Sequence, residues 1–265
     1  EMGREGLSLV SPATPYVCVG FHQDLYQEID LDYCREHRIP VFRRDLGGGA
    51  VYLDGEQLFF HLILHRTNPL VPANKTAFYR KFIQPVVDVY RTIGIDAGYK
   101  PINDIVVENR KISGTGVGEI GDCVVFVGNL IVDFDYEMMA RILKVPDEKF
   151  RDKLFKTLSE NLSTIRRELG HERAAQWSEQ RLNDLMAAEF EKRLGLLTPE
   201  TPDQALRETM AELKGPLTSR AWLFRKDKSK AVGRDVKIRS GAAVAHRLHK
   251  ARGGLIRADF EIIED

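Results

Sequence analysis

Cysteine is scarce in this sequence, and the few cysteines stand far apart. The 265 residues include only Cys18, Cys34 and Cys123, and no CxxC pair occurs. Zinc sites and redox dithiols draw on closely spaced thiols, so this spacing argues against both. Reduced thiols are the default state in the cytoplasm, and the sequence therefore predicts a cytoplasmic protein.

Long apolar runs are missing as well. No stretch approaches the roughly 18 apolar residues that a membrane-spanning helix needs, and no signal-peptide pattern follows Glu1. Because the first residue is Glu, we expect the biological start of the protein to lie upstream. The apolar share of 43% and the charged share of 29% are ordinary for a soluble globular protein of one large domain, or of a large and a small one.

An excess of either charge sign is also absent, because the formal net charge is zero. The charge is nevertheless uneven: the segment from Gly215 to Arg257 holds twelve Lys and Arg residues and only two Asp residues. A basic segment can attract an acidic protein surface or nucleic acid, and it can equally be a solvated face. The composition leaves these interpretations open.

Glycine, in contrast, is concentrated after a pair of arginines. Arg43 and Arg44 precede three consecutive glycines, Gly47 to Gly49, and a short apolar run follows. Such a run has a large entropic cost, so it is kept where the backbone turns sharply or approaches a ligand closely. Bare N–H groups and two guanidiniums suit phosphate oxygens, although a plain hairpin turn would look the same.

A second motif combines a turn with a lysine. Asn103 and Asp104 precede a short apolar strand, a turn follows, and Lys111 comes directly after that turn. A lysine in this place can point from a sheet into a cleft, where its compact ammonium can bridge a carboxylate and a phosphate. Asp104 is either a Mg²⁺ ligand or a turn residue. The segment from Ser113 to Gly118 is predicted to be a flexible loop that orders over a nucleotide.

Together the motifs RRxxGGGAVYxD and NDIVVxxRKISG, in this order, resemble the lipoate–protein ligase A family of the biotin/lipoate protein ligase superfamily. The segments Gly20 to Gln23 and Gly128 to Ile131 are similar to two further segments of that family. The resemblance runs from about Tyr16 to about Gly195.

This resemblance implies an α+β fold of the biotin/lipoate ligase type, with a mixed, mostly antiparallel sheet flanked by helices and a partial small C-terminal domain. It implies a catalytic domain over residues 1–197. Residues 198–265 would form a linker helix and a small accessory domain. Because that domain stops early, we expect it to be truncated or to be completed by a separate polypeptide.

The implied activity is ATP-dependent ligation. A carboxylate is a poor acyl donor, and attaching AMP makes it a mixed anhydride that an amine can attack. Lipoate or octanoate would react with Mg-ATP to give an acyl-adenylate, and the acyl group would pass to a lysine of an acidic lipoyl-type acceptor protein. The resemblance assigns Lys111 as the catalytic residue in contact with both substrates.

The remaining predictions name the site. Asp104 is the predicted Mg²⁺ ligand. The residues predicted to bind ATP or lipoate are Arg43, Arg44, Gly47, Gly48, Gly49, Ala50, Val51, Tyr52, Asn103, Asp104, Lys111, Ser113, Gly114, Thr115, Gly128 and Asn129. No nucleic-acid or membrane partner is expected.

Two other functions on the same fold compete with the ligase. An ATP-independent octanoyl- or lipoyltransferase would need a nucleophilic cysteine, which such relatives carry shortly before the lysine strand. The corresponding segment here, Tyr99 to Asn103, contains none. The other alternative is a non-catalytic lipoate-binding module, and retention of Arg44, the glycine run and Lys111 together argues against it.

Three local predictions bear on the fold. Residues Glu1 to Ser8 are expected to continue a helix. The strands Gly49 to Leu53 and Gln57 to Leu64 are expected to form a hairpin. The helix from Lys75 to Ile93 is expected to kink or break at Pro85, because proline cannot donate a helical hydrogen bond.

Overall fold

The computed structural model describes residues 3–225, 233–251 and 254–264. Its largest sheet has six strands, and every neighbouring pair in it is antiparallel. In spatial order, numbered along the chain, these strands are β1 (Gly6–Val10), β5 (Gln57–His65), β9 (Cys123–Ile131), β8 (Arg110–Ile120), β7 (Asp104–Val107) and β6 (Gly98–Lys100).

Two three-stranded sheets complete the β-structure of the described residues. One has parallel and antiparallel pairs and consists of β3 (Val41–Arg43), β2 (Tyr16–Val19) and β4 (Val51–Leu53). The other, called the small sheet below, is antiparallel and consists of β10 (Gly233–Arg239), β11 (Ala242–Ala251) and β12 (Gly254–Ile263). The predicted α+β class with a mostly antiparallel sheet and a small C-terminal unit is confirmed, whereas the division into residues 1–197 and 198–265 stays a prediction.

Helices cover these sheets. In chain order they are α1 (Leu25–Glu28), α2 (Leu31–Glu36), α3 (Lys75–Phe82), α4 (Gln84–Thr92), α5 (Tyr136–Ile142), α6 (Glu148–Asn161), α7 (Ile165–Leu169), α8 (His171–Ala174), α9 (Glu179–Leu194), α10 (Gln204–Thr218) and α11 (Arg220–Leu223). The Asn74 side chain caps α3, and Pro85 lies in the first turn of α4, where a missing N–H costs nothing. The predicted break at Pro85 is confirmed.

Two hydrophobic clusters hold the layers together. The first lies between the six-stranded sheet and helices α3, α4 and α9, with Phe60 and Phe126 fully buried in it. The second joins the mixed sheet to α5 and α6, and it includes Val236 and Val244 of the small sheet. The small sheet is therefore packed against α6, whose other neighbours include β8.

Two local predictions were wrong. The predicted N-terminal helix is strand β1, because Leu7 and Leu9 alternate with exposed neighbours and pack on the core beside β5. Glu1 and Met2 lie outside the described residues. The predicted hairpin of β4 and β5 does not form, because β4 pairs with β2 while β5 pairs with β1 and β9. The chain therefore changes sheets between β4 and β5.

Over residues 3–225, 233–251 and 254–264, no helix is both long enough and apolar enough to cross a bilayer.

Candidate active site

Lys111 enters the site at the start of β8. The pairing of β7 with β8 shifts by one residue, because Val106 lies opposite Lys111 while Ile105 lies opposite Ser113. The extra residue, Ile112, is fully buried, and its carbonyl accepts a hydrogen bond from the Tyr90 hydroxyl at 2.7 Å. This bulge re-aims the strand, as bulges near active sites commonly do. The Lys111 side chain keeps 20% exposure.

Asp104 is the partner of that lysine. Its carboxylate is 2% exposed, and Oδ1 lies 2.8 Å from the Lys111 ammonium. The other oxygen, Oδ2, accepts a hydrogen bond from the backbone N–H of Ser240 at 2.8 Å. Each carboxylate oxygen therefore has a partner within the protein. The ion pair holds the Lys111 ammonium in place while part of the lysine side chain stays exposed to solvent.

One face of β8 carries no side chains for three alternate positions, Gly114, Gly116 and Gly118. We call this face the glycine trough. At Gly114 a Cβ would lie 3.2 Å from Lys111 Cε, and at Gly118 it would lie 2.4 Å from Leu46 Cδ2. At Gly116 the nearest neighbour would be a Val127 methyl at 3.8 Å, an ordinary contact. The Lys111 side chain thus lies over the trough at Gly114, and the side chain of Leu46, the residue before the glycine run, covers it at Gly118.

This arrangement corrects one prediction. The segment from Ser113 to Gly118 is part of the eleven-residue strand β8, and no flexible loop forms there. The glycines alternate with Thr115 and Val117, whose partly or fully buried side chains face the core, and such alternation is typical of a strand. Glycine at every second position was the signal in the sequence that could have revealed the trough.

The glycine run itself packs against the mixed sheet. A Cβ on Gly20 would lie 2.0 Å from the Gly48 carbonyl oxygen, so only glycine fits there. Gly48 has a φ of +101°, a conformation that glycine adopts readily. The Arg44 guanidinium lies across the loop and donates to the carbonyls of Gly47 and Gly49 at 2.8–3.2 Å. Arg44 therefore shapes the loop.

Arg43 has a different environment from Arg44. It is 4% exposed, and its Nη1 donates to the carbonyls of Gly20, Phe21 and Gln23 at 2.7–3.1 Å. Its Nε donates to the Leu223 carbonyl at 2.8 Å. In this structure Nη1 and Nε together fasten the segment after β2 to α11.

Other predicted site residues form a hydrogen-bond network under the lysine strand. Asn103 and Thr115 bond reciprocally through side chains and backbone. The Asn129 side-chain oxygen accepts the Gly114 N–H at 3.1 Å, and the Asn129 carbonyl accepts the Ser113 hydroxyl. Three of these four side chains are buried, and the network joins β8 both to β9 and to the residue before β7.

Of the remaining predicted residues, Ala50, Val51 and Tyr52 directly follow the glycine run, and Gly128 lies on β9. Val51 is 36% exposed, whereas Ala50 and Tyr52 are buried in the second hydrophobic cluster. Gly128 is opposite Thr115 on the core face of the sheet, where a Cβ would lie 2.5 Å from the Phe60 ring. The space beside Gly128 is therefore filled by protein.

The predicted Mg²⁺ site depends on Asp104. Over the described residues no group of three or more His, Cys, Asp or Glu could hold a metal ion. Both oxygens of Asp104 are engaged, one by an ammonium. The residues present therefore do not fit a protein-held Mg²⁺, and the assignment of Asp104 as its ligand stays a prediction that this geometry does not favour.

Two site residues were missed in the sequence. The Tyr90 hydroxyl accepts the Ile131 N–H at 3.3 Å and donates to the Ile112 carbonyl, and no sequence motif marks it as part of the site. Ser240 lies 136 positions from Asp104, so no local pattern links them.

The fold and site define a lipoate-ligase-like α+β protein, as a solved relative shows. The structural match covers 85% of this chain and 86% of one chain of a bipartite lipoate protein ligase from Thermoplasma acidophilum. Its TM-score is 0.73, and the sequence identity is 26%. Residues 4–191 match the lipoyl protein ligase A/B catalytic domain family. The chain belongs to this family.

Curated relatives carry more than one activity in their names. Lipoate-protein ligase A subunit 1 of Thermoplasma acidophilum is 31% identical over 159 residues, which is 56% of this chain and 59% of the relative. Octanoyltransferase LipM of Geobacillus kaustophilus is 26% identical over 163 residues, 53% of this chain and 58% of the relative. The alignments thus span somewhat over half the length of these relatives, and the family includes both reaction types.

Proposed function

We propose that the protein is an ATP-dependent lipoate–protein ligase that activates lipoate or octanoate as an acyl-adenylate and transfers the acyl group to a lysine of an acceptor protein. The observation that carries this proposal is the position of Lys111 over the glycine trough at Gly114, with Leu46, the residue before the glycine run, at Gly118. A thin acyl chain can lie along the bare backbone at Gly116, between Leu46 and Lys111, with its carboxylate at the ammonium.

The chemistry follows from what each group can do. The Lys111 ammonium can sit between the acid's carboxylate and the α-phosphate, where it counters charge that builds as the anhydride forms. N–H groups of the run from Gly47 to Gly49, in a loop shaped by Arg44, can contact phosphate oxygens. ATP brings its magnesium on its own phosphates, and no residue here is assigned to the metal. A cytoplasmic location stays a prediction.

One contact favours the transferase as the second candidate. The Cys18 thiol lies 3.7 Å from the Arg44 guanidinium, so a buried cysteine does stand beside the glycine run. Cys34 is a poorer candidate, because burial, with a smaller contribution from Asp30, raises its pKa to about 11 and keeps the thiol protonated at neutral pH. Cys123 is buried at the start of β9.

The test of the proposal is pyrophosphate release from ATP that depends on added lipoate. A ligase releases pyrophosphate with lipoate and none without it. Absence of lipoate-dependent release from a folded protein would contradict the ligase. Acyl transfer from an acyl-carrier donor without ATP would then establish the transferase, and lipoate binding without either reaction would establish a binding module.

Filling the trough should block the acid. Gly116→Leu should raise the KM for octanoate and lipoate at least about tenfold, since pockets discriminate single methylenes by roughly 10–200-fold. Gly116→Ala should cause a smaller rise, because its Cβ meets only the Val127 methyl at 3.8 Å. Thermal unfolding checks that both variants fold. A folded leucine variant with the parent's KM would show that the acid lies elsewhere.

The acceptor should respond to salt. We propose an acidic lipoyl-type acceptor domain that meets the basic segment from Gly215 to Arg257, of which Lys226, Lys228, Lys230 and Arg252 lie outside the described residues. Salt screens exposed charges beyond roughly 8–10 Å at physiological ionic strength, so transfer should slow as salt rises while adenylate formation changes much less.

Stopped assays of each half-reaction across a salt series measure this difference. An equal response of both would contradict electrostatic docking. A separate accessory polypeptide, which the bipartite relative makes a natural proposal, would be detected by adding candidate chains to the same assays.

A further inference from the structure

Asp104 connects two parts of the chain that are far apart in sequence. It lies on β7, 2% exposed, with one oxygen 2.8 Å from the Lys111 ammonium and the other 2.8 Å from the Ser240 N–H. Ser240 begins the two-residue turn between β10 and β11, the first two strands of the small sheet. A buried carboxylate with one partner on each oxygen has its plane fixed by both.

The same turn is fastened to the backbone behind the lysine. Arg239, 6% exposed, donates through Nε to the Asn161 side chain at 3.0 Å and through Nη1 to the Ser240 carbonyl at 2.8 Å. Asn161 is the last residue of α6, and two residues later the Ser163 N–H donates to the Lys111 carbonyl at 2.8 Å. The turn therefore touches the supports of both the side chain and the backbone of Lys111.

We propose that Asp104 is a positioning residue set by the small sheet: the Ser240 N–H orients its carboxylate, and the carboxylate holds the Lys111 ammonium at the end of the glycine trough. This role replaces magnesium binding for Asp104. Its effect on the reaction rests on the proposed ligase function. The contact itself is independent of that function, because it requires only that the turn and Asp104 stay together.

A proline substitution in this turn can remove the Ser240 N–H that donates to Asp104. Gly241 has a φ of +73°, Ser240 directly precedes it in the turn, and proline is common directly before a turn residue of positive φ. Ser240→Pro therefore removes the N–H with little expected strain. Ser240→Ala removes the hydroxyl and keeps the N–H, so comparison of the two variants isolates the hydrogen bond.

The kinetic arm is a double-mutant cycle on lipoate-dependent pyrophosphate release. A hydrogen bond to a charged group contributes enough that Ser240→Pro should lower kcat about tenfold relative to Ser240→Ala. Asp104→Ala should lower kcat further. In the Asp104→Ala background the proline should cause no additional loss, because its only effect passes through that carboxylate. Additive losses would overturn the proposal.

Magnesium dependence separates positioning from metal binding. If Asp104 positions the lysine, Asp104→Asn and Ser240→Pro should lower kcat without changing the Mg²⁺ concentration for half-maximal rate. A raised Mg²⁺ requirement in Asp104→Asn, with Ser240→Pro indistinguishable from Ser240→Ala, would overturn the proposal and make Asp104 a metal ligand.

A readout without catalysis completes the test. Hydrogen exchange of the Ser240 amide, followed by NMR on the full chain without substrates, should be slow in the parent and at least about tenfold faster in Asp104→Ala. Unchanged exchange would overturn the contact. If the parent releases no pyrophosphate with lipoate, the ligase proposal has failed, and the exchange result still decides whether the small sheet holds Asp104.

Discussion

Replacing Lys111 by alanine should lower both adenylate formation and acyl transfer by about 10²–10³, because loss of one preorganised contact to developing charge costs on the order of 3–4 kcal/mol. Lys111→Arg should rescue poorly, since its planar fork cannot place a compact charge between two oxygens. Pyrophosphate release measures the first step. The mass shift of an acceptor domain supplied with preformed lipoyl-AMP measures the second.

The matched control removes the thiols. A triple variant with Cys18, Cys34 and Cys123 each changed to Ser, if folded, should keep ATP-dependent ligation near the parent rate. Transfer from an acyl-carrier donor without ATP that is lost in the triple variant and kept in Lys111→Ala would reject the ligase. The contact between Cys18 and Arg44 makes this control informative, since a reactive thiol would have to act from there.

Arg43→Ala should damage the fold more than ATP binding. Several charge-assisted hydrogen bonds to backbone carbonyls are lost, each worth ~1.5–3 kcal/mol, so we expect the free energy of unfolding to fall by at least about 3 kcal/mol. Urea unfolding followed by circular dichroism measures the loss. Arg44→Ala is the matched variant, because its partners lie in the exposed glycine run.

The two arginine variants should differ in which property changes more, the free energy of unfolding or the KM for ATP. Arg44→Ala should raise the KM for ATP with a smaller loss of stability, because it loosens the loop proposed to meet the phosphates. An Arg43→Ala protein with the parent's stability and a raised KM for ATP would instead place Arg43 at the nucleotide, as the sequence motif suggested.

What the sequence could predict was mostly local. The break at Pro85 depends on neighbouring residues, and the sequence predicted it. The different environments of Arg43 and Arg44 were harder to predict. Successive side chains of a strand point to opposite faces, and this alternation could have distinguished the two residues. Each belongs to the same motif, and the motif alone does not say which arginine faces inward.

Long-range pairing was beyond the sequence. Nothing near Asp54 shows that β4 and β5 join different sheets, because that choice is made by burial of Tyr52 in one core and Phe60 in another. The partner of Asp104 was equally hidden. Its acceptor role depends on a backbone N–H, which every residue except proline carries and no sequence pattern marks.

The contact between Asp104 and Ser240 also shows that the end of the family match differs from the end of the structure that supports Lys111. The family match ends at residue 191, whereas the surroundings of Lys111 extend to residue 240. A fragment cut at the family border would keep the glycine run, the trough and the lysine, yet it would lack a neighbour of the lysine's own counter-ion. The structural unit that positions Lys111 is therefore larger than the segment that the family match covers, because it includes the turn at Ser240.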